Sequence, residues 1–145
     1  YQLVRLPAYA VNRTKRLIKA PKAYWSDVGL ALHLSGETTP RSAHLENLVL
    51  GDLHAWAAAA PDRPEILYWR TAAGEEVDFV IEWRGRLLPI EVKASGRVSS
   101  RDARGIASFR AEYGNAVLGG LVLYAGDETM FVADKVLAAP WWRVV

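Results

Sequence analysis

The segment EVDFVIEWRGRLLPIEVK, residues 76–93, indicates two antiparallel strands joined by a tight turn. Its first eight residues alternate with a period of two, which is typical of a strand. We therefore expect Val77, Phe79 and Ile81 on one face of this strand and Asp78 on the other. The glycine of the RGR turn favours a hairpin, and LLPIEVK then forms the returning strand.

The flanking segments predict helices before and after this hairpin. Apolar residues recur at helical spacing between Arg41 and Ala59, and Pro61 ends that helix. A serine cap begins a second helix, which ends near Tyr113. Further strands are predicted at residues 66–70, 116–124 and 129–133, followed by a hydrophobic tail, VLAAPWWRVV. This order predicts an α/β fold in which a mixed sheet lies between helices.

The composition excludes several classes of protein. The chain has 145 residues, of which 51% are hydrophobic and 23% are charged, so it has the size and balance of one globular domain. It has no cysteine, which excludes disulfide scaffolds, thiolate zinc sites and cysteine nucleophiles. Its apolar runs are too short to span a membrane, and no signal peptide is visible. We expect a cytoplasmic location and no membrane partner. Because the first residue is a tyrosine, we expect a piece of a longer chain.

The positive charge is concentrated near the start of the chain. Residues 1–26 contain six basic residues and no acidic residue. Such a segment is typical of an arm that contacts nucleic acid, a membrane surface or an acidic neighbour, or of a solvated lead-in. We predict that residues 1–40 form a basic, partly helical extension that packs on or leads from a preceding domain, and that residues 41–145 form the main domain.

Four side chains form the candidate chemical site. Glu91 and Lys93 share one strand face about 7 Å apart, and the neighbouring strand can place Asp78 across from them. Glu46 lies at the border of the buried face of the first long helix. Carboxylates that converge in this way suit Mg²⁺, which takes oxygen ligands and keeps several waters. A metal there could activate water, and a lysine could stabilise the negative charge that develops on a phosphodiester.

This arrangement resembles the PD-(D/E)XK nuclease superfamily. The restriction-endonuclease-like core of that superfamily has three layers and the order αβββαβ, to which this chain would add a C-terminal strand. The resemblance implies that Asp78 and Glu91 are metal ligands and that Lys93 and Glu46 are catalytic. Lys93 would be the base or charge stabiliser, and Glu46 a further ligand, directly or through water. The usual Pro-Asp dipeptide is replaced by Val77-Asp78.

A narrower resemblance covers most of the chain. The runs KAPKAYWSDVGL, HLENLV, YWRT, EVDFVIE and PIEVKAS resemble the C-terminal domain of prokaryotic AAA-type ATPases, a domain of unknown function with this nuclease-like fold. The resemblance implies ATPase and winged-helix domains earlier in the same chain, with ATP bound only there. It also implies hydrolysis of nucleic acid with Mg²⁺, for which Mn²⁺ can substitute.

Two other functions are compatible with the same residues. The domain could be a non-catalytic module that binds DNA or a protein and targets the ATPase, or its carboxylates could serve stability alone. Nucleic-acid contacts are predicted at four basic residues, Arg70, Arg97, Arg101 and Arg104. The alternative for Arg70 is an ion pair with Glu76 or another carboxylate. The alternative for the other three is a solvated helix face.

Overall fold

The computed structural model describes residues 2–11 and 20–143. Within them the chain forms three α-helices and eight strands. The helices are α1 (Val28–Ser35), α2 (Ser42–Ala59) and α3 (Arg104–Tyr113). The strands are β1 (Leu3–Leu6), β2 (Lys22–Trp25), β3 (Glu65–Arg70), β4 (Glu76–Trp83), β5 (Arg86–Lys93), β6 (Gly120–Tyr124), β7 (Met130–Ala133) and β8 (Val136–Pro140). None of the helices in these ranges is both long and apolar enough to cross a membrane.

Six strands form one mixed sheet in the order β3-β4-β5-β6-β8-β7. The strands β3, β4 and β5 are antiparallel neighbours, whereas β5, β6 and β8 run parallel to one another. The crossover from β5 to β6 contains α3, as a parallel connection requires. The mixed α/β fold predicted from the sequence is therefore present.

Helices cover both faces of this sheet. Leu50 of α2 packs with Phe79, Ile90 and Leu123 in one core cluster. On the opposite face Ile106 of α3 packs with Val122 and Tyr124. Neighbouring residues of a strand point to opposite faces, so Leu123 belongs to the first cluster and Val122 to the second. The result is three layers, with the sheet in the middle.

The first two strands form a separate antiparallel ribbon that joins the same core. Leu6, Ala8 and Tyr24 are buried in the cluster that contains α2. Ala8 also bridges to Tyr68 of β3, so the ribbon covers the outer edge of the sheet. The basic residues Arg13, Lys15, Arg16 and Lys19 of the predicted extension lie outside the described residues.

The period of two predicted for β4 is interrupted. Leu67 and Trp69 of β3 pair with Val80 and Val77, so the three residues 67–69 of β3 lie opposite the four residues 77–80 of β4. This irregularity is a β-bulge, which adds a residue and turns a side chain to the other face. Val77 therefore packs with Val80, and not with Phe79 as the simple alternation predicts. The bulge lies beside Asp78.

Two predictions about the end of the chain were wrong. The strand expected at residues 116–124 begins only at Gly120, because residues 114–116 form a turn of 3-10 helix. The tail VLAAP is not a tail but strand β8, buried between β6 and β7. A tight turn at Asp134 and Lys135, the latter with a φ of 53°, joins β7 to β8. The sheet thus has two C-terminal strands after β6, where one was expected.

Candidate functional site

Asp78 of β4 and Glu91 of β5 lie where the pairing of the hairpin ends. Phe79 and Ile90 form the last pair of the antiparallel register, and Asp78 and Glu91 are the residues next to that pair. The two carboxylates are close enough to interact electrostatically. The Oδ2 atom of Asp78 accepts a hydrogen bond of 2.9 Å from the backbone N–H of Val92, which fixes the side chain against β5. The structure therefore brings the two predicted metal ligands together.

Lys93 lies beside Glu91 on the same strand. Its Nζ donates a hydrogen bond of 2.6 Å to Oε1 of Glu91. The other oxygen of Glu91, Oε2, is buried and has no hydrogen-bond partner among the described residues. A buried carboxylate oxygen without a partner is costly, so this atom is suited to accept a ligand.

Glu46 reaches the same place from the first turns of α2. Its Oε1 atom accepts a hydrogen bond from the hydroxyl of Tyr24 and lies 3.3 Å from Nζ of Lys22. The side chain of Glu46 is only 22% exposed. The negative charge of Glu46 acts on both Asp78 and Glu91, so all four predicted site residues belong to one cluster.

Lys22 is the site residue that the sequence analysis missed. Its ammonium forms an ion pair with Glu76, lies 3.3 Å from Oε1 of Glu46 and lies 3.8 Å from Oδ1 of Asp78. A signal was available, since Lys22 and Tyr24 alternate on a short strand and must point to the same side. Nothing in the sequence placed that strand against α2, however.

Burial and mutual repulsion disfavour the charged forms of the carboxylates, which raises the pKa of Asp78 and of Glu91. Burial, followed by the charges of Glu91 and Glu46, raises the pKa of Asp78 to about 7. Burial also raises the pKa of Glu91, although the contact with Lys93 opposes this effect. Burial disfavours the charge of Lys22, but its contacts with Glu76, Glu46 and Asp78 outweigh that cost and raise its pKa. The site therefore has four carboxyl groups against two lysine ammonium groups, and the excess of acids raises the pKa values of Asp78 and Glu91.

The predicted nucleic-acid contacts are spread around this cluster. Arg70, at the end of β3, is 61% exposed and lies 3.6 Å from Glu76, in agreement with the ion pair considered as its alternative role. Arg97, Arg101 and Arg104 are exposed on the segment that leads from β5 into α3. The structure thus leaves three of the four arginines on one accessible stretch near Lys93.

Asp78 and Glu91 are the residues that could hold a hard divalent cation. Among residues 2–11 and 20–143, no group of three or more His, Cys, Asp or Glu side chains is arranged to hold a metal ion. A metal would therefore be held by Asp78 and Glu91, with its remaining positions filled by water or substrate oxygens. Mg²⁺ accepts such a set of one or two carboxylates. The unpartnered Oε2 of Glu91 supports this assignment.

Asn47 fixes the ribbon that carries Lys22. This side chain is only 8% exposed, and it accepts a hydrogen bond of 2.8 Å from the backbone N–H of Trp25. Its Nδ2 atom donates a second one, of 2.7 Å, to the carbonyl oxygen of Trp25. Helix α2 thus holds β2 in two ways. Glu46 binds the side chains of Lys22 and Tyr24, and Asn47 binds the backbone of Trp25.

Replacing Asn47 by alanine should lower the free energy of unfolding by about 1–3 kcal/mol, because both backbone groups of Trp25 lose their partners. Urea unfolding followed by circular dichroism measures the change. Asn115→Ala is the matched control, since Asn115 is exposed, and it should change stability by less than about 0.5 kcal/mol. Equal losses in the two variants would show that Asn47 does not anchor the ribbon.

Comparison with known proteins identifies a family but no activity. The model of a family described as "Domain of unknown function (DUF4143)" matches residues 41–144. No curated protein and no solved structure matches the chain.

Proposed function

The chain belongs to the DUF4143 family, and because that family has no known function we propose one from the residues themselves: metal-dependent hydrolysis of phosphodiester bonds in nucleic acid. The observation that carries this proposal is the convergence of Asp78, Glu91 and Lys93. Two neighbouring carboxylates can hold one divalent ion, and the lysine that contacts Glu91 provides a positive charge beside it. A metal ion supplies the polarisation of a phosphoryl oxygen and an activated water.

The order of elements supports a restriction-endonuclease-like fold as part of this proposal. Helix α2, strands β3 to β5, helix α3 and strand β6 follow one another in the order of the PD-(D/E)XK core. The three acids and the lysine of that motif are represented here by Glu46, Asp78, Glu91 and Lys93. The proposal extends to the chain's context, as the C-terminal domain of an AAA-type ATPase.

The charge of the site supports a cation as its ligand. Within residues 2–11 and 20–143, the basic groups that contact the acids of the site, Glu46, Glu76, Asp78 and Glu91, are Lys22, Lys93 and, at 3.6 Å from Glu76, Arg70. A nucleic acid is a polyanion, and close approach to buried carboxylates would be repulsive. A divalent ion between the acids and the phosphate removes that repulsion. The exposed arginines on the approach to α3 would contact flanking phosphates.

Cleavage of a supercoiled plasmid tests the proposal. With Mg²⁺ or Mn²⁺ the chain should convert the plasmid to nicked circles, and chelation by EDTA should stop the reaction. Glu91→Gln should lower the rate by about a hundredfold, because loss of a metal ligand should cost as much as the larger effects known for residues that only support a ligand. Asp134→Asn is the control, since the Asp134 side chain is 84% exposed in the turn between β7 and β8, and it should cut like the wild type.

A binding module is the second candidate function, and the three exposed arginines favour it. If the chain binds a short duplex but cuts nothing with either metal, the enzyme proposal is wrong and this candidate takes its place. If it neither cuts nor binds, a role in protein interaction remains.

A further inference from the structure

We propose that Lys22 is an internal counter-ion of the carboxylate cluster. Its ammonium group lies among the acids in the metal-free protein and moves away when a divalent cation binds. This inference rests on the proposed metal site and adds a regulatory step to it. The N-terminal ribbon would then set how readily the site takes up its metal.

The first argument is the position of the ammonium group. Lys22 Nζ contacts three acids from two elements, Glu46 on α2 and Glu76 and Asp78 on β4. Its side chain is 24% exposed, and the acids it contacts are between 15% and 30% exposed. An ammonium placed among several half-buried carboxylates does electrostatically what a bound cation would do.

The second argument concerns which oxygen atoms are available. Oδ2 of Asp78 is already bound to the backbone N–H of Val92, whereas Oδ1 is the atom that faces Lys22. A metal ligated by Asp78 would draw on this second oxygen, at the place where the ammonium lies. Because two positive groups a few ångströms apart repel strongly in a partly buried site, the lysine and the metal compete.

The third argument is that the lysine can move without the backbone. The backbone of β2 is fixed by Asn47 at Trp25, and Tyr24 is bound to Glu46. The long side chain of lysine, in contrast, rotates freely about its methylene groups. The ring of Tyr68, whose centroid lies 5.5 Å from Nζ while the ammonium contacts the acids, is a cation–π partner that is already within reach.

Binding of Mn²⁺ to the whole chain, followed by electron paramagnetic resonance, tests the competition. We expect Lys22→Gln to lower the Kd for Mn²⁺ about tenfold, a typical size for coupling between two sites. Lys135→Gln is the matched control, since Lys135 lies in the turn between β7 and β8, and its Kd should equal that of the wild type. In EDTA the Lys22→Gln variant should melt at a lower temperature than the wild type, and Mn²⁺ should raise its Tm by more.

The outcomes separate this inference from the proposed function. If Lys22→Gln leaves the Kd unchanged while Asp78→Asn abolishes Mn²⁺ binding, the metal site stands and the role of Lys22 is refuted. If the wild type binds Mn²⁺ and Lys22→Gln does not, the role of Lys22 is refuted and the metal site stands. If neither protein binds Mn²⁺, both are refuted. If Lys22→Gln binds Mn²⁺ and the wild type shows no measurable binding, the competition between Lys22 and the metal is strongly supported.

Chemical labelling of the wild type provides a test that does not depend on a stable variant. Acetylation of Lys22, followed by mass spectrometry, should become several-fold faster in Mn²⁺ than in EDTA, because the ammonium leaves its acids. Labelling of Lys135 should not change. A slower or unchanged rate at Lys22 under saturating Mn²⁺ would overturn the proposal.

Discussion

Replacing Lys93 by methionine should lower the rate of phosphodiester cleavage by about two to three orders of magnitude, the usual effect of removing one group that stabilises a transition-state charge. Methionine keeps most of the aliphatic length of lysine, so the packing around β5 should survive. Because Lys93 Nζ bonds Glu91 at 2.6 Å, its charge would lie beside the reacting phosphate. Duplex affinity should fall less than about threefold, since the interaction is made mainly in the transition state.

Two measurements on each variant decide this prediction: single-turnover cleavage with Mg²⁺ and salt-dependent binding to a short duplex. Lys135→Met is the control, because it removes an equal charge from the β7–β8 turn. If Lys93→Met instead loses affinity and lowers the slope of log K against log salt by about one, Lys93 is one phosphate contact among several. That outcome favours the binding module.

The sequence was most informative where local pattern and tertiary environment agree. The bounds of β4, Glu76–Trp83, match the predicted strand, since five of its eight residues are apolar and a glycine turn follows it. The hairpin register then follows from the turn, and it places Asp78 and Glu91 next to its last pair, Phe79 and Ile90. The site could therefore be predicted in part, because two of its acids and its lysine lie on one hairpin.

The remaining features depend on contacts that no local pattern carries. The bulge beside Asp78 exists because β3 and β4 pair out of step, which involves two strands at once. Strand β8 reads as an apolar tail, since a strand buried between two neighbours has no alternation to reveal it. Lys22 joins the cluster only because the ribbon packs on α2, a contact between residues more than twenty positions apart.

The second large effect concerns stability and pH in the metal-free protein. The pKa of Asp78 is raised to about 7 in the fold by burial and by Glu91 and Glu46, whereas in the unfolded chain it is about 4. Between these values the folded protein holds a proton that the unfolded chain has released. Stability should therefore be full below about pH 4 and fall as pH rises through about 7, by up to about 4 kcal/mol. Asp78→Asn should remove most of this fall.

Urea unfolding in EDTA across this pH range measures the effect. Near pH 4 the Asp78→Asn variant and the wild type should be about equally stable, and near pH 8 the variant should be more stable, because asparagine needs no proton to be neutral. Asp127→Asn should follow the wild-type curve, since Asp127 is exposed. A loss of about 3–5 kcal/mol in Asp78→Asn at pH 8 would contradict the prediction, because it would mean that the Asp78 charge is needed to hold Lys22 in a buried ion pair. The site would then be built for stability. A gain at pH 8 would mean instead that the charged Asp78 lowers the free energy of unfolding of the metal-free protein. That is expected of a carboxylate whose role is to bind a cation.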